Sequence, residues 1–259
     1  MADSCIRLTR DEAIAMVELD RPAKLNSLTP AMLDALEARA RELDADPRVR
    51  VVVLAASGER AFCVGADINE WAALQALDMW RRWVKRGHQV FDQWARLRPP
   101  VIAAINGHAF GGGLELALAA DIRIAAESAQ FALPEASIST CPGWSGSQRL
   151  VQLIGASRAK YLALSGERVG AADARIGGLV HEVVAAADVR ARAMALARSM
   201  AAKAPVALQL TKQLVNAAGG EGAAATLEAM AGALAASTHD AAEGIASFRE
   251  KRPANYAGA

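Results

Sequence analysis

The stretch VIAAINGHAFGGGLELALAADIRIAAE, residues 101–127, decides the fold. Its first six residues form a short apolar run that follows Pro99-Pro100, the pattern of a strand buried on both faces. Three consecutive glycines, 111–113, then open an apolar segment that reads as a helix over 111–120. DIRIAAE (121–127) returns to strand, and AQFAL (129–133) is a second short extended piece. Strands and a helix alternating within some thirty residues, with glycine at the switches, place the chain in the α/β class.

Upstream, VRVVVLA (49–55) is another β-branched run typical of a buried strand. Thr29-Pro30 supplies an N-cap and a first-turn proline for a helix reaching about Leu43. Residues 5–9 and 13–19 alternate apolar and polar side chains around Arg10-Asp11, which predicts an antiparallel pair. A polar, tryptophan-bearing stretch with helical spacing, 69–97, ends at the double proline. Downstream the pattern is helical over 145–154, 157–164 and 171–176, then over alanine-rich segments 187–203, 205–217, 222–237 and 240–251. The expectation is an α/β core followed by a helical appendage.

Composition removes several classes of function. At 259 residues, 53% hydrophobic and 22% charged, the chain has ample material for a core. Its 29 basic and 28 acidic residues nearly cancel, and no stretch gathers cations among aromatics, which argues against nucleic acid as a partner. No apolar run is long enough to cross a membrane and the N-terminus lacks a signal-peptide pattern, so the expected location is cytoplasmic. Cys5, Cys63 and Cys141 are widely spaced and read as free thiols. The scattered His88, His108, His181 and His239 give no metal-ligand spacing, and no metal is expected.

The densest concentration of unusual backbone is Asn106 to Gly113. Consecutive glycines cost conformational entropy, so a tight turn, a positive φ or a close approach to the backbone must need them there. Neither GxGxxG with a distant acid nor GxxxxGK[ST] fits. GWSGS (143–147) approaches the GxSxG nucleophile elbow, but Ser147 replaces the last glycine and no histidine partner is evident. Glu115 falls in the first turn of the predicted helix, where a lone acid is a partly solvated residue favoured by the helix dipole. Glu135, after Pro134 in FALPEASI, reads alone as a turn or cap residue. Two acids in apolar settings, each beside a sharp turn, form a better acid/base candidate than either separately. In FCVGADI (62–68), Gly65 precedes an exposed backbone N–H at Ala66 and an acid, Asp67, placed to cap the next helix.

Taken together, AFCVGADINE (61–70), residues 99–135 and PGWSGSQRL (142–150) resemble, in order and spacing, the signature blocks of the enoyl-CoA hydratase/isomerase (crotonase) superfamily. RPAKLNSL (21–28) and EGIASFREKRPANY (243–256) are similar to its terminal segments. The resemblance implies a crotonase-like spiral of ββα repeats over 1–195 and a C-terminal helical region, 196–259, that forms a homotrimer or a dimer of trimers. It implies an enoyl-CoA hydratase acting on an acyl-CoA thioester, with coenzyme A as part of the substrate and no other cofactor. Ala66 and Gly112 would supply the backbone oxyanion hole, Glu115 and Glu135 the acid/base pair, and Gly143 a donor that orients water. Lys24, the Ala66-Asp67-Ile68-Asn69 segment and Lys251 would hold the substrate, with solvated surface as the alternative role of each lysine.

Trp144 departs from the small residues many hydratases carry after the Pro-Gly turn. It either narrows the acyl pocket or packs in the core. Trp71, Trp80, Trp83 and Trp94 occupy the segment that covers the acyl chain in the family, though tryptophans at helical spacing commonly serve packing. The alternatives within the resemblance are a Δ3-Δ2 enoyl-CoA isomerase or another reaction on a CoA ester. A non-catalytic CoA-thioester-binding homologue is the alternative from a different class.

Overall fold

The computed structural model describes residues 5–220 and 222–258. Strands β1 (Ile6–Asp11) and β2 (Ile14–Leu19) lead through helix α1 (Pro30–Ala45) to β3 (Val51–Ala56) and β4 (Ala61–Cys63). Short helices α2 (Ile68–Trp71) and α3 (Ala76–Asp78) and a π-helical stretch, Met79–Val84, precede α4 (Lys85–Ala95). Then come β5 (Val101–Ile105), β6 (His108–Phe110), α5 (Gly112–Leu118), β7 (Ile122–Ala126), β8 (Gln130–Ala132) and α6 (Gly146–Ser165). The remainder is β9 (Val169–Gly170), α7 (Ala171–Ile176), β10 (Glu182–Val184), α8 (Val189–Ala201), α9 (Pro205–Ala218), α10 (Ala223–Ala236) and α11 (His239–Glu250).

The repeat distributes its strands between two sheets. β1-β2-β3-β5-β7-β10 form the larger sheet, parallel apart from the β1/β2 hairpin, while β4-β6-β8-β9 form the smaller. Each turn of the chain therefore places its first strand (β3, β5, β7) in the larger sheet and its second (β4, β6, β8) in the smaller. This is the ββα spiral implied by the resemblance. Val51, Val52, Val53 and Ile102 are fully buried, each contributing about 1.5–3 kcal/mol of hydrophobic stabilisation. Helix α8 packs against β3, β5 and β7. Trp94 of α4 is also fully buried and donates its indole N–H to the Leu36 carbonyl of α1 at 3.1 Å.

Several local expectations are corrected. The β1/β2 turn is Glu12-Ala13 rather than Arg10-Asp11, because Glu12 takes a left-handed φ of 52° and lets Asp11 pair with Ile14. The two expected helices at 145–154 and 157–164 are segments of α6, broken at Gly155, whose φ of 77° and ψ of 158° are not helical. β6 lies inside the glycine-rich turn, where three residues are too few to show a period of two. Arg123, in the apolar-looking β7, is buried; its guanidinium donates to the Leu179 and Ala120 carbonyls, and burial pulls its pKa down to about 10.

The chain divides into two compact units between Gln209 and Leu210. In the second unit, α10 and α11 pack together. Arg252 bridges Glu243 and Glu250 there.

Candidate active site

β4, β6 and β8 are adjacent and parallel, so the chain leaves all three at the same edge of the smaller sheet. Val64–Ala66, Gly111–Gly112 and Pro134–Glu135 follow these strand ends and line one cavity. Trp71, Met79, Trp83 and Val84 form an apolar wall, and Gly143 and Trp144 complete the lining. The sheet brings together segments that are some seventy residues apart in sequence.

Two backbone N–H groups point to this cavity for different reasons. Leu28 N–H donates to the Gly65 carbonyl and Asp67 N–H to the Leu28 carbonyl, each at 2.8 Å. A parallel bridge of this kind uses the residues flanking Ala66, so the N–H of Ala66 itself faces the opposite side. Gly112 opens α5, and first-turn N–H groups have no intrahelical acceptor. The glycine run now has its reasons: Gly111 takes a φ of 51°, a Cβ on Gly112 would lie 2.7 Å from the Trp144 ring, and one on Gly113 would lie 2.0 Å from the Cys63 carbonyl oxygen.

Glu115 is not the partly solvated acid expected of a lone first-turn residue: it is 3% exposed. Helix α6, entering some thirty residues later in the chain, covers it. Its Oε1 accepts the N–H groups of Trp144 and Gly146, both at 2.8 Å. Burial pushes its pKa up to about 7; the two N–H bonds oppose the rise and the nearby Glu135 adds to it. Glu135 begins a 3-10 turn, Glu135–Ile138, and is also buried. Its side chain caps nothing, since Oε2 is enclosed without a hydrogen-bond partner among the described residues, and burial raises its pKa.

The other expected site residues separate into two groups. Gly143 and Trp144 line the cavity, although the backbone donors reaching Glu115 belong to Trp144, expected to act through its ring, and to Gly146, which carries no local signal of this contact. Trp144 both packs in the core and walls the cavity. Its ring lies 5.3 Å from those of Trp83 and Phe91, its indole N–H donates to the Trp83 carbonyl at 3.3 Å, and Gly87 leaves room for it. Trp94 is packing, whereas Trp80 is 65% exposed.

Lys24 is exposed on a 3-10 turn. The Asp67 carboxylate is committed to Arg21 at 2.6 Å and to capping α2 through Asn69 N–H at 3.1 Å. Ile68 and Asn69 are exposed, the Asn69 side chain donating to Asp67. Lys251 is exposed and follows α11 in the second unit.

Ser145 does have a histidine nearby, His88, whose Nδ1 is 2.8 Å from Oγ. Yet Ser145 is 5% exposed and is not part of the cavity lining, which removes the acyl-transfer reading on geometric grounds. Among the described residues no cluster of three or more His, Cys, Asp or Glu could hold a metal, and no helix is long and apolar enough to cross a membrane.

Known proteins match nearly the whole length of the chain. The family described as enoyl-CoA hydratase/isomerase matches residues 9–259. A short-chain-enoyl-CoA hydratase of Clostridium acetobutylicum is 37% identical, covering 81% of this chain and 80% of the relative. A crotonyl-CoA hydratase of Syntrophomonas wolfei is 35% identical, covering 99% of each. The crystal structure of an enoyl-CoA hydratase from Bacillus anthracis matches with a TM-score of 0.82 at 36% identity, covering 98% of this chain and all of that one.

Proposed function

The chain belongs to the enoyl-CoA hydratase/isomerase family, and on that footing we propose that it adds water reversibly across the 2,3 double bond of a 2-enoyl-CoA, giving a 3-hydroxyacyl-CoA. The observation that carries this reading is the pairing of two buried carboxyl groups, both with raised pKa, in a cavity that two backbone N–H groups face. The thioester oxygen would sit between the N–H groups of Ala66 and Gly112. Water adding at Cβ leaves negative charge on that oxygen, and one preorganised donor is worth about 3–4 kcal/mol at that moment.

The surroundings of the two acids support different roles. Glu115, held by two N–H groups, has its ionised form stabilised and suits the base that takes the proton from water. Glu135, with an unpartnered buried oxygen, favours the neutral acid and suits proton delivery to Cα. Gly143 would help to orient the water. No cofactor is needed, since the thioester supplies the electron-withdrawing group. Lys24, the 66–69 backbone and Lys251 are proposed to hold the coenzyme A portion, and residues 196–259 to join three copies or two sets of three.

The Trp144 ring, fixed by Trp83, lines the cavity beside Gly112, which on this reading narrows the space for the substrate and favours a short acyl chain. The test is a panel of 2-enoyl-CoA esters of increasing length, including branched and aromatic ones, followed by loss of the conjugated enoyl-thioester absorbance. Turnover that declines with chain length is the expected result. A wild-type protein that binds the esters and leaves all of them unchanged would overturn the hydratase reading.

A further inference from the structure

Ser145 occupies the N-cap position of α6 in a left-handed conformation, φ 73° and ψ 8°, which is unusual for a residue with a side chain. An N-cap serine ordinarily turns its hydroxyl onto the N–H groups of its own helix. Here it makes no such bond. Oγ instead donates to Asp92 Oδ1 at 3.1 Å and lies 2.8 Å from His88 Nδ1. His88 and Asp92 are one turn apart on α4, and Asp92 Oδ1 also accepts Arg149 Nη2 at 2.6 Å from the next turn of α6. The start of α6 is thus fastened to α4 at two points.

The residues on either side of Ser145 are those whose N–H groups converge on Glu115 Oε1. Two donors at i and i+2 meet at one oxygen when the residue between them turns left-handed, the backbone arrangement that forms anion-binding concavities. We propose that Ser145, anchored by His88 and Asp92, is a positioning residue that holds the Trp144 and Gly146 N–H groups on Glu115 and so keeps the base ionisable in its buried site. This rests on the reading of Glu115 as the base. Glycine would adopt the same φ without strain, but only a side chain can reach α4. The charged groups acting on Glu115 are Glu135 and Arg149. Those facing the Ser145 hydroxyl are His88 and Asp92, themselves 3.3 Å apart, and, through Asp92, Arg149 and Arg96.

The experiment compares Ser145→Gly, which permits the φ and removes the anchor, with His88→Ala and His88→Asn, the last retaining an amide donor near the place of Nδ1. Two readouts are taken: kcat and KM against pH with crotonyl-CoA, and the carboxyl-carbon NMR titration of Glu115, assigned with Glu115→Gln. Loosened donors stabilise the carboxylate less, so in Ser145→Gly and His88→Ala the titration and the ascending limb of kcat move to higher pH by about one unit. At pH 7 kcat falls about fivefold at unchanged KM, approaching tenfold at lower pH. His88→Asn restores both. Ser145→Gly with a wild-type Glu115 titration and wild-type kcat would overturn the proposal. If the wild-type protein turns over no enoyl-CoA, the hydratase reading fails while the NMR titration still decides the anchoring role.

Discussion

Asp67 and Glu115 are both buried, at 7% and 3% exposure, and have been given opposite electrostatic surroundings. Asp67 faces the Arg21 guanidinium at 2.6 Å and caps a helix, and its pKa lies below the ordinary carboxylate range, with the Arg21 hydrogen bond as the leading cause. Glu115 has two backbone N–H groups and its pKa is raised by burial. A full countercharge makes a buried acid a fixed structural anion. Partial compensation by amides leaves one that can exchange its proton near neutral pH, as general base catalysis requires.

The largest expected effect removes the exchangeable acid. Glu115→Gln and Glu135→Gln are each expected to lower kcat about 10²–10⁴-fold with little change in KM, measured on crotonyl-CoA. Normal turnover by both variants would defeat the mechanism. In the wild type the ascending limb of the pH–rate profile should fall near pH 7, where Glu115 ionises.

Next is stability, where the two acids should respond with opposite sign. Glu115 has a folded pKa above its unfolded one, so its stabilising contribution is complete below about 4.5 and is lost as pH rises through about 7. Glu115→Gln should therefore be more stable than wild type at pH 8 by up to about 3 kcal/mol, with the gap closing by pH 4, measured by urea unfolding. Asp67 behaves in reverse: its contribution is present above the ordinary carboxylate pKa and disappears as the pH falls through the lowered one. Arg21→Met should destabilise the protein at pH 7 by about 1–3 kcal/mol, because it strands a buried carboxylate. Asp67→Asn, which keeps a capping oxygen, should cost about 1 kcal/mol and remove this acid dependence. Equal responses of the two sites would erase the distinction between them.

Much of this was legible in the sequence, and the limits are specific. The β-branched run at 49–55 and the apolar run at 101–106 mark strands β3 and β5 because both faces are covered, and the glycine run marks the place where α5 begins against other backbone. The sequence proposed Glu115 and Glu135 as a pair but not their burial, which depends on α6 closing over the first turn of α5. Ser145 and His88, 57 residues apart, carry no local signal of their contact. The Glu12-Ala13 turn lacks the Gly or Asn by which hairpins are recognised. Strand β10, three residues of a half-buried edge, is too short for a period to register.

The bridge between Leu28 and Ala66 makes the proposed oxyanion site depend on a segment outside the named strands. Two backbone hydrogen bonds to Leu28, backed by the Arg21–Asp67 ion pair, orient the N–H of Ala66, the proposed oxyanion donor. Segments outside a sheet can open locally at a lower free energy than global unfolding requires. On warming, the protein should therefore fall silent as an enzyme while its circular dichroism still reports an intact fold, and ligands occupying the thioester site should delay the first event more than the second.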